Sequence, residues 1–174
     1  ALLMLVHGAL AIDSGRLADV PPELTDVRSD QALPSAVRAG AGALQAQALA
    51  LSGQAGQAMK LLDAVTEDVR TVSGPGILDT VYVRVFQTLI AAGEYARAAE
   101  LTNDLMFGRS PRAFCCNSGE VAYGMGHALS GRADRALGSL SCAMSQLQLE
   151  DSGDLLPMAQ SLAAYAHALL DNTD

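Results

Sequence analysis

Three histidines and three cysteines are the side chains of this 174-residue sequence best suited to ligate a metal or act as a nucleophile, and ten arginines carry nearly all of its positive charge. A metal centre needs such ligands clustered. His7, His127 and His167 are far apart, and no His-Glu-x-x-His spacing occurs. Nucleophilic catalysis needs a thiol or hydroxyl within reach of a base. Arg109 and Arg112 lie near Cys115 and Cys116 and would lower a thiol pKa, but no His or carboxylate partner is specified. Cys115 and Cys116 are adjacent and do not easily bridge; Cys142 falls on a helical pattern and is expected to pack as a small apolar residue. The odd cysteine count argues for a reducing compartment, so a cytoplasmic location is expected. A phosphate-cradling loop would end in Gly-Lys-Ser/Thr, but Lys60, the only lysine, follows Met59 inside a helical pattern. Gly40-Ala41-Gly42 and Gly124-Met125-Gly126 lack a preceding strand and a third glycine. No catalytic, cofactor or metal set follows, and the chain reads as non-enzymatic.

The bulk composition narrows the partners. Half the residues are apolar but only 4% are aromatic, so the core must be Ala- and Leu-rich, which suits closely packed helices. A formal charge of −8 repels polyanions, and no basic stripe compensates, so direct nucleic-acid contact is not expected. The apolar opening Ala1–Val6 is broken by His7-Gly8, too short for a membrane span and without a basic lead-in. It is read as a helix of the array.

Positioning comes from a repeated corner. Gly93-Glu94-Tyr95-Ala96-Arg97-Ala98 separates two apolar helical patterns, and Gly53-Gln54-Ala55-Gly56-Gln57-Ala58 and Gly131-Arg132-Ala133-Asp134-Arg135-Ala136 repeat it. Gly15-Arg16-Leu17-Ala18-Asp19 is a weaker copy. The four glycines are 38, 40 and 38 residues apart, and a further 40 reaches Asp171. That period, with a helical hairpin per unit, is the signature of an α-solenoid.

The units are predicted at about 1–33, 34–74, 75–110 and 111–153, with a half unit at 154–174. In the first, a degenerate second helix restarts at Pro21-Pro22 and ends near Arg28. In the second, Ala58, Leu61, Leu62, Val65 and Val69 make a one-face stripe, with Lys60, Asp63, Glu67 and Asp68 off it. Unit three carries Val81, Val85, Phe86, Leu89 and Ile90, then Tyr95, Ala98, Ala99, Leu101, Leu105 and Met106; Ser110-Pro111 caps the next helix, from Arg112. The sequence lacks an initiating Met and stops in mid-unit, so it is expected to be a piece of a longer protein. The open face of its last helix is an expected self-association surface. His127 and His167 each stand four residues before a corner position, where Leu49 and Leu89 stand in other units. Both are expected as satisfied histidines at packing positions.

Gly93-x-Tyr95-x-x-Ala98 resembles the central motif of tetratricopeptide repeats, and Gly8 and Gly124, seven residues before their corners, fall where that family keeps a small residue. The period is longer than that family's 34 residues, and its large early aromatic is missing. Longer Ala/Leu-rich units of this kind resemble the helical-repeat region of large LuxR-type transcriptional regulators, where an ATPase module precedes the repeats and a DNA-binding helix-turn-helix follows. The resemblance implies a right-handed α-α superhelix of about 4.5 hairpins, with the first helix of each lining a concave groove. Gln47, Gln87, Met125 and Tyr165 form one row, six residues before each corner, and Arg84 lies a turn from Gln87. These five are the candidate groove residues. The expected partner is a protein or peptide, or a small-molecule effector sensed for regulation. The alternatives are a generic docking scaffold of an unrelated cytoplasmic protein and an accessory domain of an enzyme.

Overall fold

Each corner glycine adopts a left-handed backbone: φ is 71° at Gly15, 78° at Gly53, 79° at Gly93 and 77° at Gly131. An L side chain is strained there, by about 1–2 kcal/mol, so glycine is what the bend requires. The hydrogen bonds are those of a Schellman helix end. Gly53 N–H donates to Ala50 O at 3.0 Å and Gln54 N–H to Leu49 O at 2.9 Å. Gly15 and Arg16 repeat the pair on Ile12 and Ala11, and Gly131 and Arg132 on Ala128 and His127.

The computed structural model describes residues 1–71, 77–104, 117–150 and 155–171, and among them it is helical throughout, with no strand. The chain divides at the third corner into two compact units, residues 1–93 and 94–174.

The first unit contains α1 (Leu2–Asp13), a 3-10 turn (Leu17–Asp19), α2 (Leu24–Ser29), α3 (Ser35–Leu51), α4 (Ala55–Thr71) and α5 (Ile77–Ala91). The predicted restart at the prolines is a turn: Leu24 and Thr25 N–H donate to the carbonyls of Pro21 and Pro22, and α2 follows. α3 is the hub, packed against α1, α2, α4 and α5. Its small residues make this possible, with Ala39, Ala41, Ala43 and Ala46 fully buried. Leu24, Val27 and Leu44 fill the space between α2 and α3, and Ala58, Leu62 and Val65 form the buried stripe of α4. Burial of a Leu or Val side chain contributes about 1.5–3 kcal/mol, so these few contacts fix the hairpin.

The second unit contains α6 (Tyr95–Asp104), α7 (Asn117–Leu129), α8 (Ala133–Glu150) and α9 (Leu155–Asp171). Here α7 is the hub, against α6, α8 and α9. Leu140 of α8 seats on Gly124, where a Cβ would lie 2.5 Å from Leu140 Cγ. The small residue anticipated at this register is thus a point of close helix approach. Ala136, Leu140, Ala143 and Leu147 continue the stripe, facing Ala159, Ala163 and Ala166 of α9. Leu105, Met106, Ser110-Pro111, the predicted start at Arg112, and both Cys115 and Cys116 lie outside the described residues.

No described helix is long and apolar enough to cross a membrane. The most exposed large apolar residues sit on α1, where Leu3 is 86% exposed and Leu2 70%. On α9, the exposed large apolar residues among those described are Met158, Tyr165 and Leu170.

Candidate functional site

Arg84 projects from α5 at a position where its neighbours Val81 and Val85 turn into the core. Its guanidinium grips Asp13, at the end of α1, with both arms: Nη1 donates to Oδ1 at 2.5 Å and Nη2 to Oδ2 at 2.7 Å. Nη1 also donates to Gln47 Oε1 at 3.2 Å and Gln87 Oε1 at 3.4 Å, and Gln47 Nε2 donates to Gln87 Oε1 at 3.0 Å. Two hydrogens on Nη1 are therefore shared among three acceptors. The arginine side chain is 14% exposed and that of Asp13 54%. Gln47 is buried and Gln87 exposed. Hydrogen bonds from Arg84 hold the Asp13 carboxyl below its ordinary 3.8; partial burial opposes this and the arginine's charge adds to it.

Beside this network lies an apolar groove of about 300 Å³. Leu2, Leu5, Val6 and Ala9 of α1 form one wall and Val81 of α5 the other, with Arg84 at its edge. Ala36, Val37, Gly40 and Leu44 of α3 form the floor. Gly40 keeps the floor low, since a Cβ there would stand in ordinary contact with Leu5 at 3.7 Å and Val81 at 4.0 Å. The arrangement is an apolar trough with a cation and two amides at its edge, suited to holding an amphipathic molecule.

Of the five predicted groove residues, Gln47, Arg84 and Gln87 converge. Met125, half-buried on α7, and Tyr165, 45% exposed on α9, belong to the second unit and are described there on their own. Asp13 was not foreseen. Its signal lay in the row two residues before each corner, which reads Asp13, Leu51, Ala91 and Leu129: one charge in an otherwise apolar row.

Three expectations about reactive residues need correction or refinement. Cys142 is exposed, because it falls one residue off the α8 stripe of Leu140, Ala143 and Leu147. Its thiol donates to Glu120 Oε1 at 3.5 Å and accepts from Gln146 Nε2 at 3.7 Å. The bond to Glu120, then burial, then the carboxylate's charge push the thiol pKa up, the opposite of activation. His127 does occupy a packing position, 1% exposed, with its ring edge-on to Tyr123 at 4.3 Å. It is not satisfied there, since neither ring nitrogen has a hydrogen-bond partner among the described residues. Burial, followed by the charges of Arg132 and Arg135, depresses its pKa. His167 is exposed on α9, off the stripe of Ala163 and Ala166 that meets α7 and α8. Among the described residues, no three His, Cys, Asp or Glu side chains are grouped as metal ligands.

No family model, curated protein or solved structure matches this chain. The class of molecule is therefore set by geometry: an all-helical, repeat-like chain with a ligand-sized apolar groove and an arginine at its edge.

Proposed function

We propose that this chain is a non-catalytic binding region whose groove over α3 takes an amphipathic peptide segment. The observation that carries the reading is Arg84 at the edge of an otherwise apolar trough, ion-paired with a carboxylate that a ligand's carboxylate can replace. Apolar side chains of the peptide would cover Leu2 and Val6, which are 70% and 59% exposed. Its carboxylate would take the bidentate position on Arg84, with Gln47 and Gln87 steadying the guanidinium. Releasing Asp13 to water costs little, because an ion pair this exposed contributes at most about 1 kcal/mol. Net affinity then comes mainly from apolar burial, at about 25 cal/mol per Å².

The groove volume of about 300 Å³ also falls at the lower end of small-molecule sites, which favours a carboxylate effector as the second reading. As the parent, we propose a large LuxR-type transcriptional regulator with a tetratricopeptide-like superhelix. The near-constant period, the four left-handed corners and the Ala/Leu-rich units support this. A nucleotide-binding module upstream and a helix-turn-helix downstream are expected in the full gene, and their absence would remove the regulator from consideration.

The binding test is a fluorescence-polarisation screen of short Leu/Val-rich peptides, each with a free and an amidated C-terminus, with octanoate as competitor. Free-carboxylate peptides should bind, and Val6→Glu and Gly40→Leu should both abolish binding. Binding that ignores both substitutions would move the site elsewhere. Direct binding of octanoate with no peptide bound would select the effector reading.

A further inference from the structure

The second helix of the first hairpin is short: α2 has six residues, where α4 has 17 and α8 has 18. Part of α3 is consequently left without second-layer cover. A cleft of about 400 Å³ opens there, bounded by the Pro21-Pro22 turn, α2, α3 and α4.

Arg28 is the only charged residue among those lining it. Its stem lies across α3 at Gly42, where a Cβ would stand 3.2 Å from Arg28 Cδ. The guanidinium is thus placed by packing, not by a counter-ion. Among the described residues it makes no ion pair or hydrogen bond, and its Nε is buried without an acceptor. An unpaired buried donor is costly, and a charged one more so. Gln45 reaches into the same cleft and donates from Nε2 to Thr25 Oγ1 at 2.6 Å. That bond uses one amide hydrogen, leaving the second and the threonine hydroxyl hydrogen to give.

We propose that this cleft binds a small organic monocarboxylate. Arg28 supplies the counter-charge, Gln45 and Thr25 supply neutral donors, and Pro21, Leu49 and Leu61 receive the apolar body. One guanidinium balances one negative charge. A phosphate dianion would leave a charge uncompensated in a chain whose net charge is already −8. The site is separate from the groove at Arg84 and stands whether or not that groove binds peptide.

The test is a titration of the whole chain, followed by amide NMR, with benzoate, benzamide and inorganic phosphate as probes. Benzoate should give saturable shifts centred on Thr25, Arg28 and Gln45, with benzamide and phosphate giving none. Arg28→Gln should weaken benzoate by about tenfold or more, the loss of one charge-assisted hydrogen bond. Ala48→Leu, which fills the cleft from α3 and leaves Arg28 in place, should also remove binding. The proposal is overturned if benzoate gives no saturable shift there, if benzamide or phosphate binds as well, or if folded Arg28→Gln or Ala48→Leu binds like the wild type.

Discussion

Gln47 and Gln87 are forty residues apart in the chain and 3.0 Å apart in space, joined amide to amide between α3 and α5. Each stands six residues before a left-handed corner glycine. The period of the sequence is here a physical distance: the equivalent positions of these two hairpins meet, and Arg84 and Asp13 are assembled around that meeting.

The Arg84–Asp13 pair should respond to pH in one direction only. The folded-state pKa of Asp13 is depressed, so its contribution is complete above 3.8 and is lost as acid titrates the carboxylate below that. Thermal melts of wild type and Asp13→Asn should differ at neutral pH by no more than about 1 kcal/mol and converge in strong acid. A difference that persists there would mean Asp13 acts through something other than its charge.

His127 should be a liability to stability. Among the described residues both ring nitrogens are buried without partners, and Leu89 holds the equivalent position one repeat earlier. His127→Leu is expected to stabilise the chain by about 1–3 kcal/mol, the cost of leaving a buried polar group unsatisfied. Because burial lowers the folded-state pKa, wild-type stability should fall as pH drops below 6.5, where the unfolded chain takes the proton first. In the leucine variant that part of the slope should vanish. Urea denaturation between pH 5 and 8 reads both effects (the range brackets an ordinary histidine).

Much of this was legible in the sequence, because glycine at a left-handed helix end has few substitutes. The corners, the helices between them and the stripes at Ala58, Leu62 and Val65 follow from that one constraint plus apolar periodicity. Periodicity places a residue to within a turn, however, and one position decides exposure on a helix. Cys142 and His167 were misplaced for that reason. Asp13 was missed because its role depends on a partner 71 residues away. The Arg28 cleft depends on the absence of helix, which no apolar pattern announces.

The corners can be separated from ordinary glycines within one hairpin. Gly131→Ala should destabilise the chain by about 1–2 kcal/mol, since φ there is 77° although nothing crowds the added methyl. Gly138, exposed inside α8 with equally open surroundings, should gain about 0.5–1 kcal/mol on Gly138→Ala. Chemical denaturation of the two variants should move in opposite directions.

Gly124 is held by packing alone. Gly124→Ala would set its methyl against Leu140, fully buried on α8, and should cost about 1–3 kcal/mol. Combined with Leu140→Ala, the two losses should sum to less than their separate values, because the second removes the clash. Strict additivity in denaturant melts would show that the close approach is not the cause.

The central claim, that Arg84 recognises a ligand carboxylate in place of Asp13, is tested most directly by calorimetric titration of one free-carboxylate peptide from the screen. Wild type, Arg84→Ala and Asp13→Ala are compared. Removing the arginine should weaken binding about tenfold or more, while removing the aspartate should tighten it, because the internal competitor is gone. Equal weakening in both variants, or no change in either, would contradict the exchange and with it the assignment of the groove.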